Sequence, residues 1–289
     1  MVNTMTDTMT TTKLLTTAWD FDPSVCVGCV VMIAVFFWKV KAATPHRVSF
    51  VLGILVLFIA LESPIDVLGD NYLFCAHMAQ HLLLILIVPP LLILGIPEET
   101  ARIWLRSPRI ARLEGVLGKP IVAWCLGMGV MTVWHVPILY NVALAHEVVH
   151  VFQHLSFLVT ATMFWWPVMH PVPTRRLSIG PAIFYLFAAV AENSVLGIII
   201  TFMRVGHYPA YLYPVDVNPG TLGLIRNEGG ISAAYDQRLG GLLMWIPGCS
   251  VYFVAMLAMM AHWYAEPETE EDAGAASAFA ELESEVRHE

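Results

Sequence analysis

The sequence predicts an all-α fold, a polytopic transmembrane bundle of seven helices with its N-terminus outside and its C-terminus inside. Hydrophobic residues fill 57% of the 289 positions and charged residues only 13%, whereas a soluble domain carries about 25% charged residues. A protein core cannot cover that much apolar surface, so lipid must cover part of it. The chain also contains repeated apolar runs close to the ~20 residues that cross a bilayer, which indicates membrane helices.

Seven apolar runs carry this prediction. They lie at 24–40, 47–62, 72–95, 120–137, 146–168, 179–203 and 239–264. The first run is short enough to resemble a signal peptide. However, acidic residues dominate its N-terminal side, and Lys39 and Lys41 follow it, which reverses the charge pattern of a signal peptide. We therefore expect this run to be a membrane span.

The orientation follows from the Lys and Arg residues, which concentrate in cytoplasmic loops. The loops after the first, third and fifth runs, together with the C-terminal tail, hold eleven of the fifteen Lys and Arg residues. The N-terminal segment and the other loops hold the remaining four. This alternation places the N-terminus outside and the C-terminus in the cytoplasm.

Three regions are expected along the chain. Residues 1–23 form a Thr-rich, flexible extracytoplasmic segment, 24–264 form the seven-helix membrane domain, and 265–289 form an acidic cytoplasmic tail. The net charge of −8 owes much to that tail and so says little about partners. Membrane lipid is the expected surrounding, with no nucleic-acid partner. The five cysteines do not follow the spacing of a disulfide scaffold.

Histidines concentrate near the outer ends of three predicted spans. Residues four apart share a helix face, which aligns one pair on the third span and a three-residue stripe on the fifth. A lone membrane His is more often a hydrogen-bonded packing residue, but polar groups grouped inside a bundle usually mark a function. Because His is a common metal ligand, a metal site is predicted between the third, fourth and fifth helices. Its candidate ligands are His77, His81, His135, His146, His150 and His154.

The ligand types favour copper among the metals that imidazole binds, which include Zn, Cu, Fe and Ni. Thioether and thiol neighbours shift the preference towards copper, although most of the fourteen methionines are expected to serve packing. The neighbours in question are Cys75, Met78, Met131, Met203 and Met244. A Cys-x-x-Cys pair, Cys26 and Cys29, could bind Cu(I) or form a disulfide.

Other motifs leave alternatives open. His146-Glu147-Val148-Val149-His150 matches the His-Glu-x-x-His pattern of zinc metalloproteases, in which the Glu is the general base. Glu192 lies near the middle of the sixth span, where an acid is either functional or a protonated packing residue. Pro89 and Pro90 interrupt the third span and predict a kink there.

Three blocks of this chain form a specific pattern. The first block reads Ser63-Pro64-Ile65-Asp66, then His77-Met78-Ala79-Gln80-His81, Pro89-Pro90-Leu91-Leu92 and Gly95-Ile96-Pro97. The second reads Trp134-His135, Pro137, Tyr140, Gln153-His154 and Phe164-Trp165-Trp166-Pro167. The third reads Asp236-Gln237, Leu239-Gly240-Gly241 and Met244-Trp245-Ile246-Pro247-Gly248. The blocks occur in order over about 47–264, and together they resemble the cytochrome c oxidase assembly factor CtaG family, of the caa type.

The resemblance implies a seven-span plasma-membrane protein that helps a haem-copper oxidase mature by supplying or guarding copper, in an undetermined oxidation state. It implies no enzyme activity, and it names oxidase subunits as partners. The six histidines are the ones that match the family's positions. Three rivals remain: a membrane zinc protease, a di-haem cytochrome with His axial ligands, and a scaffold that binds no metal.

Overall fold

The structure, a computed structural model, describes residues 9–265. All regular secondary structure in that range is helical, which confirms the predicted all-α class. The acidic tail predicted at 265–289 lies outside the described residues, apart from its first position, and so do residues 1–8. In the segment predicted to be flexible at 1–23, the described part contains one short helix, Thr11–Thr17. That helix packs against the helix Pro64–Asn71.

Fifteen α-helices occur between residues 9 and 265. The first eight are α1 (Thr11–Thr17), α2 (Pro23–Lys39), α3 (Thr44–Glu62), α4 (Pro64–Asn71), α5 (Phe74–Leu82), α6 (Val88–Leu94), α7 (Glu98–Leu105) and α8 (Pro108–Leu117). The others are α9 (Pro120–Trp134), α10 (Pro137–Ala145), α11 (Glu147–Met169), α12 (Ile179–Phe202), α13 (Pro209–Leu212), α14 (Thr221–Gly223) and α15 (Ala233–Ala265).

Five helical stretches in the described part of the chain are long and apolar enough to cross a membrane. They are α3, the continuous stretch Phe74–Leu94, α11, α12 and α15. The pair α8 and α9 would add a sixth if it is one broken span, since the two helices meet at 67°. The predicted first span is the 17-residue apolar helix α2. A helical membrane protein is therefore confirmed, whereas the count of seven and the orientation stay predictions.

A π-helical turn, Leu83–Ile87, joins α5 to α6 just before the two prolines. Pro89 has no N–H to donate to the carbonyl of Ile85, four residues earlier. The indole Nε1 of Trp165 on α11 donates to that carbonyl at 3.1 Å instead. Because an unpaired carbonyl is costly inside a membrane, this bond lets the stretch Phe74–Leu94 run on as one span through the predicted kink.

The stretch Phe74–Leu94 lies at the centre of the bundle. α15 packs against both α5 and α12, α11 packs against α9 and α6, and α3 packs against α6. Two glycines of α15 permit the closest approaches. A side chain at Gly240 would overlap the ring of Phe74, and one at Gly241 would overlap Thr201 of α12. The start of α5 is therefore held deep among its neighbours.

Candidate metal centre

Four imidazole rings meet between α5 and α11. His77 and His81 come from α5, and His150 and His154 come from α11. Ring centroids lie 4.3 Å apart for His77 and His81, 4.2 Å for His150 and His154, 5.2 Å for His77 and His150, and 5.5 Å for His81 and His154. The i, i+4 spacing read in the sequence thus produces two pairs of adjacent imidazoles, one on each helix, that face each other.

The Nε2 atom of each of these four rings is buried and has no hydrogen-bond partner among the residues described. His77 and His81 are fully buried, and His154 is 8% exposed. Buried polar atoms are normally hydrogen-bonded, so a group of four orphans requires an explanation. Neutral imidazole nitrogens gathered in a low-dielectric site are a donor set that fits a transition-metal ion.

Asp70, at the end of α4, joins this cluster although the sequence did not single it out. Its Oδ1 lies 3.2 Å from Nδ1 of His77 and its Oδ2 lies 3.4 Å from Nδ1 of His150. The carboxylate therefore connects the two helices at the surface side of the cluster, where its side chain is 28% exposed. A carboxylate in this place can bind a metal directly or orient the two imidazoles.

Two overlapping groups of residues could each hold a metal ion. Within each group, the ligand atoms all lie within 4.8 Å of one another. Asp70, His77 and His150 form the first group, here called the surface triad. His77, His81 and His154 form the second, here called the core triad. His77 belongs to both.

His135, which caps the C-terminal end of α9, lies next to His81 of the cluster. Its Nδ1 donates to the carbonyl of Met131 at 2.7 Å, and its Nε2 lies 3.4 Å from Nδ1 of His81. In a neutral imidazole one nitrogen donates and the other accepts. The hydrogen-bond network therefore places the proton of His81 on Nδ1 and leaves its Nε2 lone pair free. The role of His135 as a ligand stays a prediction, and its contact with His81 is one that orients a neighbouring imidazole.

His146 stands apart from the four rings. Its side chain is exposed and its backbone is extended, with φ −137° and ψ 108°, because α11 begins only at Glu147. Its role as a ligand stays a prediction, since neither triad includes it. Glu147 is exposed as well. The His-Glu-x-x-His pattern therefore does not lie on one helix face, as the zinc protease site requires.

The cysteines and the intramembrane acid also lie outside both triads. Cys26, Cys29 and Cys75 have free thiols in the described structure, and the last two are buried. Glu192 accepts a hydrogen bond from the hydroxyl of Thr132 on α9. These contacts tie α12 to α9 but bring neither group to the histidine cluster.

Two tyrosines from the loop after α12 contact backbone groups beside the cluster. The Tyr208 hydroxyl donates to the carbonyl of His135 at 2.9 Å, and the Tyr211 hydroxyl donates to the carbonyl of Gly69 at 2.8 Å. Burial raises the pKa of both phenols above the usual range, so they stay neutral donors. The sequence indicated a long loop rich in Gly, Pro and Tyr here, but not that its aromatic residues reach the site.

A second carboxyl group, Asp66, lies one helical turn before Asp70. Burial, followed by the charge of Asp70, raises the pKa of Asp66 to about 8. Gln80 donates to its Oδ1 at 2.5 Å and to the carbonyl of Ala60 at 3.0 Å. Burial and the neighbouring carboxyl group of Asp70 thus both disfavour ionisation of Asp66.

The N-terminus of α5 is fixed by Asp236, a fully buried residue of α15. Its Oδ2 accepts from the backbone N–H of Phe74 at 2.9 Å and its Oδ1 accepts from that of Cys75 at 3.0 Å. The first N–H groups of a helix have no partner within the helix, and a carboxylate there also complements the helix dipole. Asp236 therefore fixes the position of His77, which lies one helical turn further along α5.

Gly69 permits α4 to lie against α5 beside His77. A Cβ atom at this position would sit 2.9 Å from the Cα of His77, a distance that requires the backbone to move. We expect Gly69→Ala to separate Asp70 from His77 and to weaken metal binding roughly tenfold, the lower range for a disturbed ligand support. Isothermal titration or competition with a chelating dye measures the change.

Gly115 of α8 is the matched control for this substitution. An added Cβ atom there meets nothing within 4 Å, so Gly115→Ala should leave metal affinity unchanged. Equal affinities for the Gly69→Ala protein and the wild type would show that the contact between α4 and α5 does not position the site.

The fold and the site define a helical membrane protein with a buried histidine cluster. Residues 30–266 match the family described as "Cytochrome c oxidase caa3 assembly factor (Caa3_CtaG)", and the chain belongs to that family. The resemblance read in the sequence is thereby confirmed.

Curated relatives come from mycobacteria. An uncharacterized protein of Mycobacterium leprae is 24% identical over 271 residues, which are 86% of this chain and 40% of the relative. Uncharacterized proteins of Mycobacterium bovis and Mycobacterium tuberculosis are each 24% identical over 272 residues, which are 86% of this chain and 39% of theirs. The chain thus spans about two fifths of the length of these relatives. No solved structure matches it.

Proposed function

We propose that this protein binds copper within the plasma membrane and assists the maturation of a haem-copper oxidase. Its family is described as a cytochrome c oxidase assembly factor, which supports the assembly role. The observation that supports metal binding is the group of four buried Nε2 atoms without a hydrogen-bond partner. Copper is the cargo in this proposal rather than the cofactor of an enzyme, and oxidase subunits are the partners that receive it.

Copper is the metal that best fits both the ligands of this site and the oxidase-assembly role of the family. Several neutral imidazoles with one carboxylate within reach can bind copper without a fixed tetrahedral cage of thiolates, the arrangement that structural zinc prefers. Among the described residues, neither triad contains a cysteine. A site without thiolates can release its ion more readily, and release is what delivery to another protein requires.

The proposal includes seven spans with the N-terminus outside. α2 then serves as the first span, although its 17 residues extend only about 25 Å at 1.5 Å per residue. α9 serves as the fourth span, and α8 lies at its cytoplasmic end. In this orientation α4, the start of α5 and the start of α11 lie at the outer face. The histidine cluster would therefore open towards the side on which a subunit with an exposed copper centre is loaded.

The geometry gives less support to the rival functions. A membrane protease would need His146 and Glu147 directed at the ion, and both are exposed. A di-haem cytochrome would need its axial imidazoles on opposite sides of a macrocycle. The rings that face each other across α5 and α11 instead lie in direct contact, with centroids 5.2 Å apart for His77 and His150 and 5.5 Å apart for His81 and His154.

Metal content and absorption spectrum of the detergent-purified protein test the proposal first. We expect near-stoichiometric copper in the wild type, no Soret band, and loss of copper in a His77→Ala/His81→Ala/His154→Ala variant, which removes ligands from both triads. A strain that lacks the chromosomal gene and carries either version should then show whether oxidase copper content follows. Zinc in place of copper, a Soret band, or copper that persists in the variant would each refute the proposed site.

A further inference from the structure

We propose that the histidine cluster contains two cation positions that share His77 and are occupied in turn. The surface triad receives the ion, and the core triad holds it. This inference rests on the proposed function, because it describes how the same cluster loads its copper. It adds an order of occupancy and gives separate roles to the two triads.

The two cation positions differ in how deeply their ligands are buried. In the surface triad, the side chain of Asp70 is 28% exposed and that of His150 is 13% exposed. In the core triad, His77 and His81 are fully buried and His154 is 8% exposed. An ion that arrives from outside the protein therefore meets Asp70 and His150 before it can reach His81.

The donor atoms differ in the same order. The surface triad offers a carboxylate and two imidazoles, and its negative charge attracts a cation and offsets part of the cost of removing its water. The core triad offers three neutral imidazoles and no charge. It therefore binds by donor strength alone, in a place where water does not compete. Capture and retention are thus assigned to different ligands.

The shared residue makes the two positions exclusive. A neutral imidazole has one lone-pair nitrogen and one N–H, so neutral His77 can bind one ion at a time. Nδ1 of His77 faces Asp70 at 3.2 Å, which leaves Nε2 for the core triad, and neither nitrogen has a hydrogen-bond partner within residues 9–265.

Inward movement of the ion exchanges one set of ligands for the other. The bonds to Asp70 and His150 break, and bonds to His81 and His154 form. His77 changes the nitrogen that it uses: Nε2 gives up a proton and Nδ1 takes one up beside Asp70, so no net proton moves. The ion keeps its charge throughout, so the exchange needs no reductant or oxidant.

The test compares two kinds of variant in the full-length purified protein. We expect one copper per chain in the wild type. Asp70→Asn should slow copper loading about tenfold, the lower range for loss of an attracting charge, with a nearly unchanged final content. His81→Ala should still load at the wild-type rate, but a hydrophilic chelator should strip it about tenfold faster. Pulsed EPR of Cu(II)-loaded protein should count three imidazoles in the wild type and two in His81→Ala.

Glu147→Gln is the matched control, because it removes an exposed carboxylate one turn before His150. It should leave both loading and stripping unchanged. Two coppers per chain, or wild-type loading in Asp70→Asn, would overturn sequential occupancy while leaving the proposed function intact. No copper in the wild type would instead refute the proposed function itself. Thermal unfolding of each variant separates these outcomes from misfolding.

Discussion

Replacing His77 by alanine is expected to eliminate copper binding and, with it, oxidase maturation. His77 is the one residue that belongs to both triads, so its loss removes a ligand from each position. The remaining residues would offer only two donors to an ion in either place. We expect affinity to fall roughly 100-fold or more, because even a disturbed second-shell contact costs a metal site 10–100-fold. Competition against a chromophoric Cu(I) chelator measures this loss directly.

Two other histidines give this experiment its contrast. His207 is exposed, and His207→Ala should bind copper like the wild type. His146→Ala separates the six-ligand set predicted from sequence from the two triads, which exclude His146. If His146→Ala loses copper as His77→Ala does, the ligand set extends beyond the triads. If His77→Ala keeps its copper, the cluster is not the copper site.

Replacing Asp236 by alanine should have the largest effect on stability. The substitution leaves the buried N–H groups of Phe74 and Cys75 without an acceptor, and each unsatisfied group costs about 1–3 kcal/mol. We expect the free energy of unfolding to fall by roughly 2–5 kcal/mol, with a parallel loss of metal affinity as the start of α5 shifts. Unfolding in mixed detergent micelles, followed by circular dichroism, measures the change.

Asp236→Asn keeps one acceptor oxygen in nearly the same place and should lose less stability than Asp236→Ala. Glu228→Ala removes an exposed acid from the preceding loop and should change little. An Asp236→Ala protein as stable as the wild type would mean that water or another group satisfies the start of α5, so that Asp236 does not position His77.

The parts of the site that follow from local periodicity could be predicted. His77, His81, His150 and His154 were found because polar residues at i, i+4 in apolar runs share a helix face. His146 was grouped with them on the assumption that the stripe belongs to one continuous helix. The structure starts α11 at Glu147, and that one-residue difference leaves His146 exposed. Helix boundaries are less certain than helix existence when they are read from sequence.

The parts that depend on distant contacts could not be predicted. Asp70 stands in a connection between spans, and only the fold of α4 against α5 brings it to His77. Asp236 precedes the last predicted span by three residues and reaches α5 across more than 160 positions. Even so, Gly69 has no Cβ atom, which is what a close backbone approach requires. The carboxylate of Asp236 can accept hydrogen bonds from the free N–H groups at the start of a helix. Those signals are visible once the partners are known.

The hydrogen bond from Trp165 to the carbonyl of Ile85 has a consequence for the metal-free protein. It joins α11 to the stretch Phe74–Leu94 below the histidines, and Asp236 fixes that same stretch above them. The stretch Phe74–Leu94 is thus held on both sides of the histidines, and α11 on one side, by contacts that involve no ion. The site is preorganised, so little conformational entropy should be lost when copper enters. Emptying and refilling it should leave the membrane scaffold unchanged, as the proposed role of carrying an ion through repeated cycles requires.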